Sequence, residues 1–295
     1  MKLRSVFYLV LNATLIATGH ILQKAVLNHG VDRLVFAFVR IATGFFLITL
    51  LLLFQKYNPI KVVRRNARHF VVLGVFFSGV GILLKLWGLS HTSATNASFI
   101  MSLSSVTAVI FAYFLLNEKA HRSFYAIVAL MILGVYLVST KGESLVPQKG
   151  DLIILGLVFL IGFMQVYGKK VLKTLTVLET SFGRALFGMV FLGLMIPIMA
   201  PDSFSTIPNL KVLLLVMANG LTFSGSIMAF YKALQAEGAS NSAMFALLVP
   251  VFTAVMGRLV LGETFTLVQI AGGAIILAGS MTIARIKVRQ PVIHQ

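Results

Sequence analysis

The sequence Ala-Thr-Asn-Ala-Ser at residues 94–98 recurs as Ala-Ser-Asn-Ser-Ala at residues 239–243. The two stretches align without a gap when Glu118 is set over Glu263. Each copy has a small polar opening, an apolar run long enough to cross a bilayer, a glutamate at the end of that run, and a second apolar run that ends in glycine and small residues. An internal repeat of this length determines the architecture of a whole chain.

The repeat extends toward the N-terminus. Residues 21–27 align with residues 166–172, and Arg40 aligns with Arg184. The chain therefore divides into a first five-helix repeat at 1–141, a second five-helix repeat at 150–285, and a basic cytoplasmic tail at 286–295.

The composition predicts a membrane protein. Of the 295 residues, 58% are hydrophobic and 11% are charged, whereas soluble domains have about 45–50% apolar and about 25% charged residues. The chain has no cysteine, which excludes disulfides and thiolate metal sites. Its net charge of +17 lies in short loops between apolar runs, so it indicates membrane topology rather than nucleic-acid binding.

Runs of about 20 apolar residues are long enough to span a bilayer. The first run is too long for the apolar part of a signal peptide, so we take it as a span. The predicted helices are 6–27, 34–54, 70–89, 94–116, 123–140, 150–171, 179–199, 210–234, 239–261 and 265–285. Five spans per repeat would make the second repeat enter the membrane from the opposite side. The predicted fold is therefore an all-α membrane protein of about ten transmembrane helices, arranged as two inverted five-helix repeats.

The distribution of lysine and arginine predicts the orientation, because cytoplasmic loops are enriched in these residues. One side receives most of them: Lys2, Arg4, Lys56, Lys61, Arg64, Arg65, Arg68, Lys119, Arg122, Lys169, Lys170, Lys173, Arg285, Lys287 and Arg289. The other side receives Arg33, Lys141, Lys149 and Lys211. We expect a multi-pass protein of the cell (inner) membrane with both termini in the cytoplasm.

The second copy carries motifs of a known family. These motifs are Ala233-Leu234 with Ala239-Ser240 after it, then Pro250, Leu261-Gly262-Glu263, Gly272-Gly273-Ala274 and Ala278-Gly279. The sequence resembles the tandem EamA-type repeats of the drug/metabolite transporter superfamily over nearly its full length. The resemblance implies about ten membrane helices and secondary transport of small metabolites such as amino acids, amines, nucleobases or sugar derivatives.

Polar residues inside the predicted spans are candidates for the substrate site, because polar groups in a bilayer are costly and need partners. Asn12, His20 and Gln23 lie on one face of the first helix and predict the wall of an aqueous cavity. His20 could bind substrate or carry a coupling proton; alternatively, a neighbouring helix satisfies its ring. The remaining candidates are Arg40, Lys85, Trp87, Asn96, Gln165, Arg184, Asn219, Tyr231 and Asn241.

Several of these candidates also have a structural interpretation. Arg40 and Arg184, at matching places in the repeats, could contact an anionic group in turn, or could pair with helix-end carbonyls or with Asp32 and Glu179. Asn96 and Asn241 open predicted helices, where asparagine is a favoured N-cap. Trp87 and Tyr231 lie near helix ends, where aromatic residues anchor a span at the interface. We expect Glu118 and Glu263 to tie a loop to a neighbouring helix.

The function indicated is transport rather than catalysis. No Walker motif, metal-ligand cluster or nucleophile triad is present in the sequence, so we expect no enzyme activity and no cofactor. We expect outward movement of an amino acid or similar zwitterionic or anionic metabolite by alternating access, since basic residues in the spans outnumber acidic ones. The alternative is a lipid-linked flippase or a membrane scaffold. The expected partners are a small-molecule substrate and the lipid bilayer, together with a coupling proton if transport is proton-driven. We expect no nucleic-acid partner, and a monomer or homodimer.

Overall fold

The computed structural model describes residues 3–55, 58–116, 123–141, 147–202 and 209–285, without the side chains of 3–6, 65, 116, 169, 228, 230–246 and 284. The basic tail at 286–295 lies outside these residues. Throughout the described ranges the chain forms helices joined by short connections, and no strand occurs in them. The helices are α1 (Leu3–Asn28), α2 (Arg33–Phe54), α3 (Pro59–Val71), α4 (Gly81–Ser90), α5 (Ala94–Met101), α6 (Ser104–Leu116), α7 (Ser123–Thr140), α8 (Lys149–Val171), α9 (Val177–Met199), α10 (Leu210–Ala246), α11 (Leu248–Leu261) and α12 (Leu267–Arg285).

The prediction of an all-α membrane protein is confirmed. In the described part of the chain, eight helical segments are long and apolar enough to cross a bilayer. The apolar helices in α11 and α12 are shorter, at Leu248–Leu261 and Leu267–Ile283. The described residues thus contain eight apolar helical segments of spanning length and two shorter ones.

Two predicted spans contain irregular helix. The segment predicted at 70–89 is preceded by α3 and passes through a π-helical stretch, Val72–Val80, before α4 begins. Asn58 starts this unit because its side chain accepts hydrogen bonds from the backbone N–H groups of Ile60 and Lys61. The span predicted at 94–116 is interrupted between α5 and α6. There the hydroxyl of Ser102 donates to the carbonyl of Ser98, which offers that carbonyl a partner other than the helical backbone.

The predicted boundary between 210–234 and 239–261 is wrong. Helix α10 runs without interruption from Leu210 to Ala246, so Asn241 lies inside a helix and does not cap one. Alanine, leucine, methionine, glutamine and glutamate dominate this stretch and favour continued helix. The helix ends just ahead of Pro250, which stands in the first turn of α11, where its missing N–H group leaves no hydrogen bond unmade.

The two repeats pack into each other. Helix α1 packs against α10 and α11, and its counterpart α8 packs against α4 and α6. Helix α2 packs against α10, and its counterpart α9 packs against the π-helical stretch before α4. Helices α2 and α9 contact each other, as do α7 and α12. Each major contact thus recurs with the roles of the repeats exchanged.

Small residues allow the central helices to approach closely. A Cβ atom on Gly220 of α10 would lie 2.6 Å from the carbonyl oxygen of Arg40 in α2. In the matching contact, a Cβ atom on Gly188 of α9 would lie 2.6 Å from Cβ of Ser78 in the π-helical stretch. Such positions let backbones meet in a membrane interior. The approach places Arg40 and its counterpart Arg184 at the centre of the bundle.

Candidate functional site

Asn219 of α10 joins three helices at this centre. Its side chain is 0% exposed, and its Nδ2 atom donates to the carbonyl oxygen of Gly19 in α1 at 2.8 Å. Its Oδ1 atom accepts from Nε of Arg40 at 2.7 Å and from Nε2 of Gln23 at 3.3 Å. Because a guanidinium can only donate, Arg40 determines which way the Asn219 amide and, through it, the Gln23 amide are oriented. Asn219, Gln23 and Arg40, all predicted site residues, therefore form one network.

Arg40 keeps part of its hydrogen-bonding capacity unused. Its side chain is 6% exposed, and within the described residues only Nε has a hydrogen-bond partner. The guanidinium carbon lies 4.2 Å from the ring centroid of Phe223, a cation–π distance. Arg40 is thus held in place by Asn219 and Phe223, and its terminal N–H groups have no hydrogen-bond partner among the described residues.

Arg184 approaches the same ring from the other repeat. Its guanidinium carbon lies 5.2 Å from the centroid of Phe223 and 5.0 Å from that of Phe77 in the π-helical stretch. The two arginines that the sequence places at matching positions therefore converge on one phenyl ring. The small pocket beside that ring is lined by Ile41, Gly44, Ile48, Ser78, Ser181, Arg184, Ala185 and Phe223.

His20 and Lys85 add two basic side chains to this region. His20 is 6% exposed, and its Nδ1 atom lies 3.5 Å from the hydroxyl of Thr253, at the limit of a hydrogen bond. Lys85 and Arg40 both interact electrostatically with His20, and Lys85 also interacts with Arg40. Unpaired charges are costly in an apolar interior, so this arrangement calls for a compensating negative group or water.

Asn96 is not the N-cap of α5, because it lies inside the first turn of that helix. Ser93 caps α5, because its hydroxyl accepts the backbone N–H of Asn96 at 3.0 Å. The Asn96 side chain is 1% exposed; it donates to the carbonyl of Val138 and accepts from Gln269 of α12 at 2.9 Å. Asn96 therefore ties α5 to α7 and α12, a structural contact that the N-cap preference of asparagine did not indicate.

The remaining predicted residues have few contacts with the Arg40 network. Asn12 is 4% exposed, and its Oδ1 atom has no hydrogen-bond partner among the described residues. Trp87 is 51% exposed. Gln165 is exposed, and its Nε2 atom reaches only the hydroxyl of Ser104, at 3.5 Å. The side chains of Tyr231 and Asn241 lie outside the described part of the chain.

Sequence reasoning missed Asp151, in the first turn of α8. Its side chain is 2% exposed; Oδ1 accepts from the hydroxyl of Thr92, and the side chains of Ser139 and Asn96 also interact with the carboxylate. The carbonyl of Thr92 in turn accepts from Nζ of Lys24 at 2.7 Å. The sequence feature that could have pointed to Asp151 is its place directly before an apolar run.

Glu263 links the two repeats at the start of α5. Its carboxylate accepts the backbone N–H of Ala94 at 2.7 Å and that of Thr95 at 3.3 Å. A helix N-terminus favours a negative charge at this point. Gly257 leaves the space for it, since a Cβ atom there would lie 2.8 Å from the carboxylate. The prediction that Glu263 ties a loop to a neighbouring helix is confirmed. We call Lys24, Thr92, Asp151 and Glu263 the latch around the start of α5.

The sequence matches the EamA-like transporter family in two segments, residues 3–140 and 148–285. An uncharacterized transporter of Bacillus subtilis (strain 168), YyaM, is 26% identical over 79% of this chain and 78% of its own length. A protein of Streptantibioticus cattleyicolor named "Probable terminal-alkyne amino-acid exporter" is 26% identical over 77% of each chain. The riboflavin transporter ImpX of Fusobacterium nucleatum is 24% identical over 81% of this chain and 85% of its own.

A solved crystal structure of a protein has the same overall fold. The TM-score is 0.63 at 16% sequence identity, and the match covers 92% of this chain and 96% of the other. At this identity the likeness concerns the fold alone.

Proposed function

The chain belongs to the EamA-like transporter family, and from this premise we propose that it is a secondary carrier that moves a small organic metabolite out of the cytoplasm by alternating access. That it is a multi-pass membrane transporter, and not an enzyme, follows from the family and from relatives named as transporters. The predicted family resemblance is thereby confirmed. The substrate, the direction of transport and the mechanism are the proposal.

The exchanged contacts of the two repeats support alternating access. In a carrier built from inverted repeats, one central site is opened to each side in turn as the repeats swap roles. Helices α1 and α8 make matching contacts, and so do α2 and α9. We propose ten spans in two inverted repeats, the substrate bound between α2, α9 and α10, and the latch around the start of α5 as the closure on one side.

The observation that carries the proposed site is Arg40, buried and held by Asn219 but with terminal N–H groups that have no hydrogen-bond partner among the described residues. A guanidinium binds a carboxylate through two parallel hydrogen bonds. The proposed substrate therefore carries an acidic group, as an amino acid or another zwitterionic or anionic metabolite would. The relative named as an amino-acid exporter supports a substrate of that size. Asp151 and His20 are the groups that would carry a coupling proton.

Reconstituted liposomes test the carrier function. Liposomes containing the full chain, loaded with an isotope-labelled extract of small metabolites, are expected to release at least one acidic compound faster than liposomes containing heat-denatured protein. The Arg40→Gln variant should abolish that release, whereas Arg33→Gln, which removes an exposed charge from the same helix, should not. Scrambling of a fluorescent phospholipid without release of any soluble compound would contradict the carrier and support the flippase.

Single cysteines in this cysteine-free chain test the orientation. We propose that both termini are cytoplasmic in the cell membrane, which places the α4–α5 connection outside and the α8–α9 connection inside. In intact cells, a membrane-impermeant maleimide is expected to label His91→Cys and to leave Lys173→Cys unlabelled until lysis; both positions are exposed. The reverse pattern would refute the proposed topology.

A further inference from the structure

The titratable side chains that interact with Arg40 are all basic. Arg40 interacts electrostatically with Arg184, and Lys85 and His20 both interact with Arg40. The described acidic residues are Asp32, Asp151, Glu179, Asp202 and Glu263. The electrostatic contacts resolved for Arg40, Lys85 and His20 are with one another and with Arg184, and none of these contacts is with an acidic residue. The centre of the bundle is thus basic without a described acid to balance it.

The donors at this centre outnumber the acceptors. Arg40 has free terminal N–H groups, and Nζ of Lys85 makes no hydrogen bond within the described part of the chain. Within the network, Oε1 of Gln23 is a fully enclosed neutral amide oxygen without a described hydrogen-bond partner. A carboxylate or phosphate would find both a forked donor and a point charge. An ammonium group would find the basic groups of Arg40, Arg184, Lys85 and His20, and no carboxylate among the described side chains in contact with them.

Beside the charges lies an apolar and aromatic surface. Phe223 stands within cation–π distance of both arginines. Ile41, Ile48 and Ala185 line the adjoining pocket. A ligand with an acidic group at one end and a planar or apolar body would satisfy both parts of the site.

Building on the proposed carrier function, we propose that the site selects a net organic anion, a carboxylate or a phosphate monoester with an apolar or aromatic body, and disfavours ligands that carry an ammonium group beside the acid. Arg40 and Lys85 bind the acidic group, and Phe223 contacts the body. The selectivity comes from the missing counter-charge. An amino acid such as that named for one relative is the sharpest competing substrate, because it differs from the proposed class only by its ammonium group.

Four compounds with one phenyl body separate these classes: 3-phenylpropionate, phenyl phosphate, phenylalanine and phenethylamine. Binding to the purified full chain in detergent is measured by thermal shift and calorimetry. We expect one of the two anions to bind at least tenfold more tightly than phenylalanine, and phenethylamine not to bind. Preference between the two anions distinguishes a carboxylate from a phosphate site.

Variants connect the binding to the named residues. Arg40→Gln is expected to lower the affinity for the preferred anion at least tenfold. Arg40→Lys keeps the charge but loses the two parallel N–H donors of the guanidinium, so its effect is expected to be intermediate. Lys85→Gln provides a second neutralisation if Arg40→Gln does not fold. The matched control, Arg33→Gln, should bind as the wild type does.

Phenylalanine or phenethylamine binding as tightly as the preferred anion would overturn the proposal, as would folded wild-type protein that binds neither anion at millimolar concentration. Release of phenylalanine from the loaded liposomes, without anion release, would refute the anion preference and leave the carrier function standing. Absence of any release would refute the carrier itself.

Discussion

Substitution of Asn219 by leucine is expected to lower the free energy of unfolding by about 3–5 kcal/mol, because it removes a hydrogen bond to a charged group, worth about 1.5–3 kcal/mol, and leaves further buried groups unpaired at about 1–3 kcal/mol each. Leucine would leave Nε of Arg40, Nε2 of Gln23 and the carbonyl of Gly19 without their present partner. A leucine side chain forms no hydrogen bonds, so these groups would stay buried without a replacement for the Asn219 amide. The measurement is the thermal unfolding midpoint of the purified protein in detergent.

Thr222→Val is the matched control for this substitution. Thr222 lies in the same helix, and its hydroxyl bonds only to the carbonyl of Asn219 in its own helix. Its loss should change the midpoint little. An unfolding temperature of Asn219→Leu equal to that of the wild type would show that the Asn219 network does not hold the three helices together.

The second large effect is expected for Glu263→Ala. This change removes the carboxylate that accepts two backbone N–H groups at the start of α5. A hydrogen bond to a charged group contributes about 1.5–3 kcal/mol, and loss of about 1.4 kcal/mol changes an equilibrium tenfold. We therefore expect the start of α5 to open at least tenfold more often. In an Ala97→Cys background, where residue 97 is 0% exposed, maleimide labelling in detergent should accelerate by that factor.

Glu179→Ala separates this effect from the loss of any helix cap. Glu179 also stabilises a helix start, but its hydrogen bonds go to Thr176 within its own segment. It should leave the labelling of Ala97→Cys unchanged. Equal acceleration by both variants would indicate general loosening of the bundle, and the latch would then have no specific role.

The class of protein could be predicted from local sequence. Apolar runs of spanning length specify membrane helices because a bilayer requires every backbone polar group to be bonded within the chain. The repeat, visible in the alignment of Glu118 with Glu263, predicted the two halves and the family. The role of Glu263 was also predictable, since an acid at the end of a span needs a partner at the interface.

Hydrogen-bond partners across the bundle could not be read from local sequence. Arg40 and Asn219 are separated by 179 residues, and their contact depends on the glycines that bring α2 and α10 together. Asparagine is a favoured N-cap residue, but Ser93 precedes α5 and caps it. The side chain of Asn96 instead accepts a hydrogen bond from Gln269. Asp151 lay next to an apolar run like any surface acid, until packing against Thr92 buried it.

The sequence by itself determined the length, polarity and repetition of the helices, and with them the fold class and the family, because these depend on neighbours along the chain and on the bilayer. The tertiary structure alone decided that α10 continues to Ala246, that Arg40 and Arg184 meet at Phe223, and that no described acid accompanies Arg40. Those features depend on which side chains from distant helices come within hydrogen-bonding or cation–π distance, and a bilayer sets no preference among them.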